Sequence, residues 1–252
     1  MSFGVSMIKP AASNPATLPE LTDALVASVK AKRAAVLDLL QVASKTFSAI
    51  TFANSYGAED MVLTDIIAKE KLAIEIFSLD TGRLPAETYT LMAKVEKNYT
   101  TKPVVFFPKH EAVEDYVRTK GINAFYESIT LRKACCDMRK VEPLKRALAH
   151  KQAWITGMRA EQAATRSSLP TREFDEGNQL EKFNPLSDWT EQEVWAYIRL
   201  YDVPYNALHD QFYPSIGCAP CTRAVAIGED VRAGRWWWED PNSKECGLHV
   251  KK

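Results

Sequence analysis

The first two thirds of the chain repeat one pattern: a short apolar run sized for a buried strand, a polar turn, then a helix. Phe47 to Ala53 is apolar and β-favouring; the turn Asn54-Ser55-Tyr56-Gly57-Ala58 and a helix from about Glu59 to Lys69 follow it. A second strand fits Ile74 to Leu79 and ends in Asp80-Thr81-Gly82, before a helix from Pro85 to Asn98. Pro103 to Phe107 reads as a third strand, Val113 to Thr119 as a short helix, Leu131 to Ala149 as a longer one, and Ala153 to Thr156 as a fourth strand ending at Gly157. Strands that alternate with helices predict an α/β fold, a parallel sheet with helices on both faces. Ligands of such sheets bind at the carboxyl ends of the strands. The turns Ser55 to Asp60, Asp80 to Arg83 and Gly157 to Arg159 all fall there, so one sheet edge is the expected site.

Outside this repeat, Leu18 to about Ala43 carries apolar residues at helical spacing (Leu21, Leu25, Val29, Val36, Leu37, Leu40) and reads as one or two amphipathic helices. Residues 1 to about 17 read as a mobile arm. Glu161 to Glu181 is polar and loop-like, and Thr190 with Glu193 resembles a capping box for a helix to Leu200. The expected division is residues 1–45 as arm and helices, 46–235 as the main domain and 236–252 as a mobile tail. The 252 residues carry 32 Lys+Arg against 32 Asp+Glu, so no global basic field argues for nucleic acid or an anionic membrane. No apolar run approaches the roughly 20 residues of a membrane span. The N-terminus lacks the charged start and apolar stretch of a secretory signal. A cytoplasmic setting is expected, where thiols stay reduced.

In that setting the five cysteines stand out: the adjacent pair Cys135-Cys136, the C-x-x-C pair Cys218 and Cys221, and Cys246 near the end. Two tight pairs suffice for one metal centre, leaving one separate thiol. Zinc and a 4Fe-4S cluster both accept four cysteines. Adjacent residues on a helix point about 100° apart, which suits a bulky cluster better than a single small ion. Alternatively, Cys135 and Cys136 pack as small hydrophobes. Cys246 has Lys244 and His249 near it, and a neighbouring cation favours thiolate. The turn at Ser55 and Gly57 suits an anion, because small residues and a helix N-terminus let backbone N–H groups approach it. The bases around the cysteine pair, Arg132, Lys133, Arg139 and Lys140, read singly as solvated helix faces, and Trp236-Trp237-Trp238 as a core aromatic cluster. His110 and His150 match no metal spacing.

The set Ser55-Tyr56-Gly57-Ala58-Glu59-Asp60, Leu79-Asp80-Thr81-Gly82-Arg83, Arg132-Lys133-Ala134-Cys135-Cys136, Trp154-Ile155-Thr156-Gly157, Ile216 through Arg223, Gly234-Arg235-Trp236-Trp237-Trp238 and Lys244-Glu245-Cys246-Gly247-Leu248-His249 resembles the bacterial assimilatory adenylyl-sulfate (APS) reductases, within the PAPS reductase family. The resemblance runs from about Ser48 to His249. The terminal motif and the double cysteine pair are specific to the family, while the glycine turns are shared with many nucleotide-binding relatives. Tyr56 departs from it, standing where the family has a smaller residue, as does the loop at Ala163-Ala164-Thr165, which lacks a glycine.

The resemblance implies a Rossmann-like adenine nucleotide alpha hydrolase (PP-loop) fold. It implies a 4Fe-4S cluster on Cys135, Cys136, Cys218 and Cys221, and Cys246 as nucleophile. It implies reduction of APS to sulfite and AMP in sulfate assimilation, through an S-sulfonated Cys246. It places Lys140 between cluster and substrate, and Arg166, Arg232 and Arg235 against the phosphosulfate. The remaining implied substrate contacts are Ser55, Gly57, Leu79, Thr81, Gly82, Arg83, Gly157 and His249. With four of five cysteines assigned to the cluster, no resolving thiol remains, so an external dithiol, thioredoxin or a glutaredoxin-like protein, is the implied partner. A homo-oligomer is compatible with this reading. Competing readings are a PAPS reductase, a non-catalytic zinc or iron-sulfur sensor, and an ATP-cleaving ligase of the same superfamily.

Overall fold

A computed structural model describes residues 18–99, 101–162 and 169–240. Among them, a six-stranded sheet has the order β3-β2-β1-β4-β6-β5. The strands are β1 (Ile50–Ala53), β2 (Glu75–Leu79), β3 (Val104–Phe106), β4 (Ala153–Ile155), β5 (Arg172–Asp175) and β6 (Leu180–Phe183). All neighbouring pairs are parallel except β5–β6. The chain steps outward from β1 to β2 to β3, then returns to place β4 on the other side of β1. The strand order therefore reverses between β1 and β4, where a crevice opens beyond the strand ends.

The helices are α1 (Asp23–Thr46), α2 (Ala58–Lys69), α3 (Ala86–Tyr99), α4 (His110–Lys120), α5 (Ile129–Cys136), α6 (Glu142–Leu148) and α7 (Glu191–Tyr201). Side chains alternate across the sheet, as the two-residue strand period requires. Phe52, Ile76 and Ile155 join the large core with Val36 and Leu40 of α1, Leu63 and Ile66 of α2, and Tyr197 of α7. Phe77 and Trp154 face the other way, onto Leu144 and Leu148 of α6. The expected α/β architecture with both faces covered is thus present. Helix α1 contributes to the main core, and Ser28 and Lys32 on it bind the buried Glu193 of α7 at 2.7 and 2.8 Å.

The helix read as Leu131 to Ala149 is α5 and α6 joined by a π turn over Asp137–Val141, directly after the cysteine pair. Such turns insert an extra residue and are frequent at functional sites. One expectation fails. Glu161 to Glu181, read as a loop, contains β5 and the start of β6. β5 is polar because it lies at the sheet edge, and ion pairs tie it to the interior strand β6: Arg172 to Glu181 at 2.9 Å and Lys182 to Glu173 at 3.1 Å. Such pairs are a common solution for edge strands. The first strand also starts three residues late, because Phe47 caps α1 through its N–H to Ala43 O.

The capping box at α7 is present in both directions, Thr190 Oγ1 accepting from Glu193 N and Glu193 accepting from Thr190 N. Thr190→Ala should lower unfolding free energy by about 1 kcal/mol, measurable by urea denaturation. An unchanged midpoint would show the cap to be energetically idle.

Candidate active site

The crevice between β1 and β4 is built from backbone turns. After β1, Asn54 Oδ1 accepts from the Tyr56 amide at 2.7 Å and Tyr56 takes a left-handed φ of 63°. The departure at Tyr56 is absorbed by burying the ring at 2% exposure. Gly57 then opens α2 without a side-chain cap, leaving the helix N-terminus to favour an anion. The Asp60 carboxylate accepts from both the Ser55 amide and hydroxyl at 2.6 Å. Burial nevertheless pushes the Asp60 carboxyl up to about 7 against those bonds. Across the crevice, a Cβ at position 157 would collide with Asp60 Oδ1. Only glycine lets the turn after β4 approach α2 so closely.

These turns open onto a cavity of about 340 Å3. Of the expected substrate residues, Ser55, Gly57, Leu79, Thr81, Lys140, Gly157, Arg232 and Arg235 line it together. Arg159 belongs to the same wall, its guanidinium held by Glu59 at 2.8 Å and Glu161 at 2.7 Å. Burial disfavours the Arg159 charge, but these two carboxylates hold its pKa above the ordinary value.

Beside this cavity lies a void of about 20 Å3 lined by Cys135, Cys136, Cys218 and Cys221, with Arg83, Arg132, Arg139 and Lys140. Two segments some eighty residues apart in sequence thus bring their cysteines to one place, and none is in a disulfide. The turn after β2 joins this place to the sheet: Thr81 Oγ1 lies 3.2 Å from Cys218 Sγ, and the Ala219 amide donates to Arg83 O at 2.8 Å. Burial raises the Cys135 thiol, and burial with the fields of Cys218 and Cys136 pushes Cys221 up to about 12. Thiols in this position ionise only with a compensating cation. No group of three or more His, Cys, Asp or Glu among the described residues closes on a single ion. Four cysteines lining one void, edged by basic side chains, form a donor set that zinc and a 4Fe-4S cluster both accept. Lys140 lines both cavities.

Some expected substrate residues lie apart from the large cavity, and two bases expected to be solvated are buried. Arg83 lies at the cysteine void rather than in the large cavity, and donates to Asn123 Oδ1 at 3.1 Å. Gly82 lines neither; its φ of 69° makes the turn that carries Arg83. Arg132 and Arg139 are buried instead of solvated. Arg139 donates to Thr81 O at 2.6 Å, and Arg132 binds both carboxylate oxygens of Glu239, at 2.9 and 2.7 Å. Burial opposes the Arg132 charge, yet Glu239 and the Cys136 thiol hold its pKa above the ordinary value. Of the three tryptophans, Trp236 is buried and lines the large cavity, while Trp237 is 40% exposed. Arg166, Cys246 and His249 lie outside the described residues. Trp195 and His209, also in the cavity wall, come from α7 and a following turn that carry no site signal in the sequence.

Residues 49–224 match the model of the phosphoadenosine phosphosulfate reductase domain. The chain is 58% identical over 221 residues to the adenosine 5′-phosphosulfate reductase of Allochromatium vinosum, covering 88% of this chain and 86% of that one. It is 52% identical over 235 residues to the protein of the same name from Burkholderia cepacia, covering 93% and 92%. Among solved structures it resembles a phosphoadenylyl-sulfate (PAPS) reductase from Candida auris, in a phosphate complex, at a TM-score of 0.65 and 31% identity over 75% of this chain and 90% of that one. A Candida glabrata FMN adenylyltransferase mutant shares the fold at a TM-score of 0.57 and 14% identity, over 83% and 68%.

The Asp60 carboxyl rises from 3.8 to about 7 on folding. Between those values the folded chain holds a proton that the unfolded chain has released, so this group's contribution to stability falls as pH rises through that window. Asp60→Asn should flatten the pH dependence of unfolding there by up to about 1.4 kcal/mol per pH unit. Parallel curves for parent and variant would contradict it.

Proposed function

We propose that this chain, which belongs to the phosphoadenosine phosphosulfate reductase family, reduces adenylyl sulfate to sulfite and AMP in sulfate assimilation. The observation that carries the reading is the adjacency of a four-cysteine void and a nucleotide-sized cavity, with Lys140 lining both. The names of relatives at 52–58% identity favour APS over its 3′-phosphorylated analogue.

In this reading the Cys246 thiolate attacks the sulfate sulfur. A sulfur–sulfur bond forms, the bond from sulfur to the bridging oxygen breaks, and AMP leaves with that oxygen. Cys246 then carries the sulfonate. One thiolate of an external dithiol attacks Cys246 Sγ and expels sulfite; its second thiol resolves the mixed disulfide and returns Cys246. The dithiol supplies both electrons, and thioredoxin or a glutaredoxin-like protein in the cytoplasm fits that chemistry. The segment that follows the anchored Glu239 acts as the arm that carries Cys246 to substrate and donor.

Ser55, Gly57, Leu79, Thr81 and Gly157 hold the adenosine half. Lys140, Arg232 and Arg235, with Arg166 and His249, neutralise charge on the phosphate and sulfonate oxygens as it develops. Gly82 and Arg83 act less directly, through the turn that seats the cysteines. A 4Fe-4S cluster held by Cys135, Cys136, Cys218 and Cys221 supplies a fold-stabilising link and a fixed electrostatic neighbour for Lys140.

Anaerobic protein mixed with APS should show a sulfonate adduct on Cys246 by mass spectrometry, discharged by reduced thioredoxin, and Cys246→Ser should make no sulfite. Full sulfite production by that variant would sink the nucleophile, and PAPS as the much better substrate would sink the choice of APS. Lys140→Ala should slow sulfite formation by about a hundredfold; an unchanged rate would remove Lys140 from the site.

A further inference from the structure

Arg132 is the most deeply buried arginine among the described residues, with no exposed surface. A guanidinium is so placed only when its charge and donors are met. Its partners lie at a distance in sequence. Nε and Nη2 form a two-pronged bond with Glu239, whose side chain is also buried, at 3% exposure. The guanidinium also stacks 4.7 Å from the ring centroid of Trp236 and lines the cysteine void beside Cys136. Trp236 carries a second guanidinium, that of Arg235, at 4.8 Å. Arg235 faces the large cavity and donates weakly to Ser215 Oγ and Ile216 O, both at 3.4 Å. A side chain at Gly217, next to Cys218, would collide with Arg235. Trp236 itself has a left-handed φ of 41°. A bulky residue keeps such a conformation only where its surroundings impose it.

These contacts form one continuous path: Cys136, Arg132, Trp236, Arg235, cavity. The same arginine fixes Glu239, and seven residues after Glu239 comes Cys246. Seven residues reach at most about 24 Å. Where Glu239 is held therefore bounds where the Cys246 sulfur can go.

We infer that Arg132 is a positioning residue for the reaction: through Trp236 it aims Arg235 at the substrate, and through Glu239 it sets the point from which the Cys246 segment departs. The inference rests on the proposed reductase reading. It assigns a different task from that of Lys140, which lies between the two cavities. Arg132 does not line the large cavity and acts through residues that do.

The test compares Arg132→Lys, which keeps the charge but loses the fork, with Glu239→Gln, which leaves Cys136 untouched. Glu239→Gln should keep the parent's iron and sulfide content, and both variants should bind AMP within about twofold of the parent, while single-turnover sulfonation of Cys246 by APS slows about tenfold or more. The loss should fall on kcat rather than KM for APS, and the double variant should be no slower than the worse single one, because both break one link. Trypsin should cleave faster after Lys244 in both. Sulfonation and cleavage at parental rates in Glu239→Gln would overturn the inference. So would a loss in Arg132→Lys that tracks iron content and is restored by reconstitution, since Arg132 would then only support the cysteine site. If Arg132→Lys fails to fold, Glu239→Gln decides. If the parent itself forms no adduct, the reductase reading falls, and the cleavage rates still decide whether Arg132 anchors the tail.

Discussion

The convergence of four sulfurs on one void is the constraint on which the rest of the molecule leans. Residues 202–240 have no helix longer than a three-ten turn and no strand, only isolated bridge residues such as the pair Thr222 and Arg235. A segment of that kind buries too little regular backbone to hold itself in place. It is tied down by the Ala219 amide on Arg83 O, by Thr81 at Cys218, by Tyr126 donating to Pro220 O at 2.6 Å, and by Arg132 on Glu239. Each of these four ties lies close in sequence to the void or to its lining residues, while the start of the segment is held separately by Asn206 donating to Thr88 Oγ1 at 3.0 Å. A group bound by all four cysteines would join the helix pair α5–α6 to this segment directly, so that its binding energy becomes folding energy. The same segment delivers Arg232, Arg235 and Trp236 to the cavity wall, so what staples the fold also completes the site.

Charge is organised in the same way. The chain is neutral as a whole, yet Arg83, Arg132, Arg139 and Lys140 gather at the cysteine void, and Arg232 and Arg235 at the adjoining cavity. In the proposed reading, bases placed this way serve two kinds of anion, cluster-bound sulfurs on one side and a phosphosulfate on the other, and net charge reveals neither. The raised carboxyl of Asp60 and the clamped Arg159 keep the far turns of the crevice rigid without adding a free charge there. The glycine at 157 is the steric condition for that closeness.

Much of this was legible in the chain. Apolar runs of strand length separated by helical periodicity gave β1 to β4 and α2 to α4 within a few residues, with α5 and α6 read as one helix and α7 marked by its capping box, and the turns after β1, β2 and β4 marked the edge where the cavity lies. The cysteine spacing grouped four residues that the fold does bring together. What could not be read depends on tertiary placement. The β5–β6 hairpin hid because its edge strand β5 is held to β6 by cross-strand ion pairs, which make the segment look like a loop. Arg132 and Arg139 looked like solvated bases because their anions, Glu239, Cys136 and the Thr81 carbonyl, are remote in sequence or on the backbone. Arg83 belongs to the void because its turn passes between the two sites. Trp195 and His209 reach the cavity only through the packing of α7 and the turn that follows it.

The central claim is that the cysteine site and the nucleotide cavity are one electrostatic unit joined by Lys140. The iron Mössbauer spectrum of the anaerobically purified protein, recorded with and without APS, tests this most directly. The account predicts a cluster signal that shifts when APS binds and no longer shifts in Lys140→Ala. A protein without cluster iron, or a cluster spectrum indifferent to saturating APS, would contradict it.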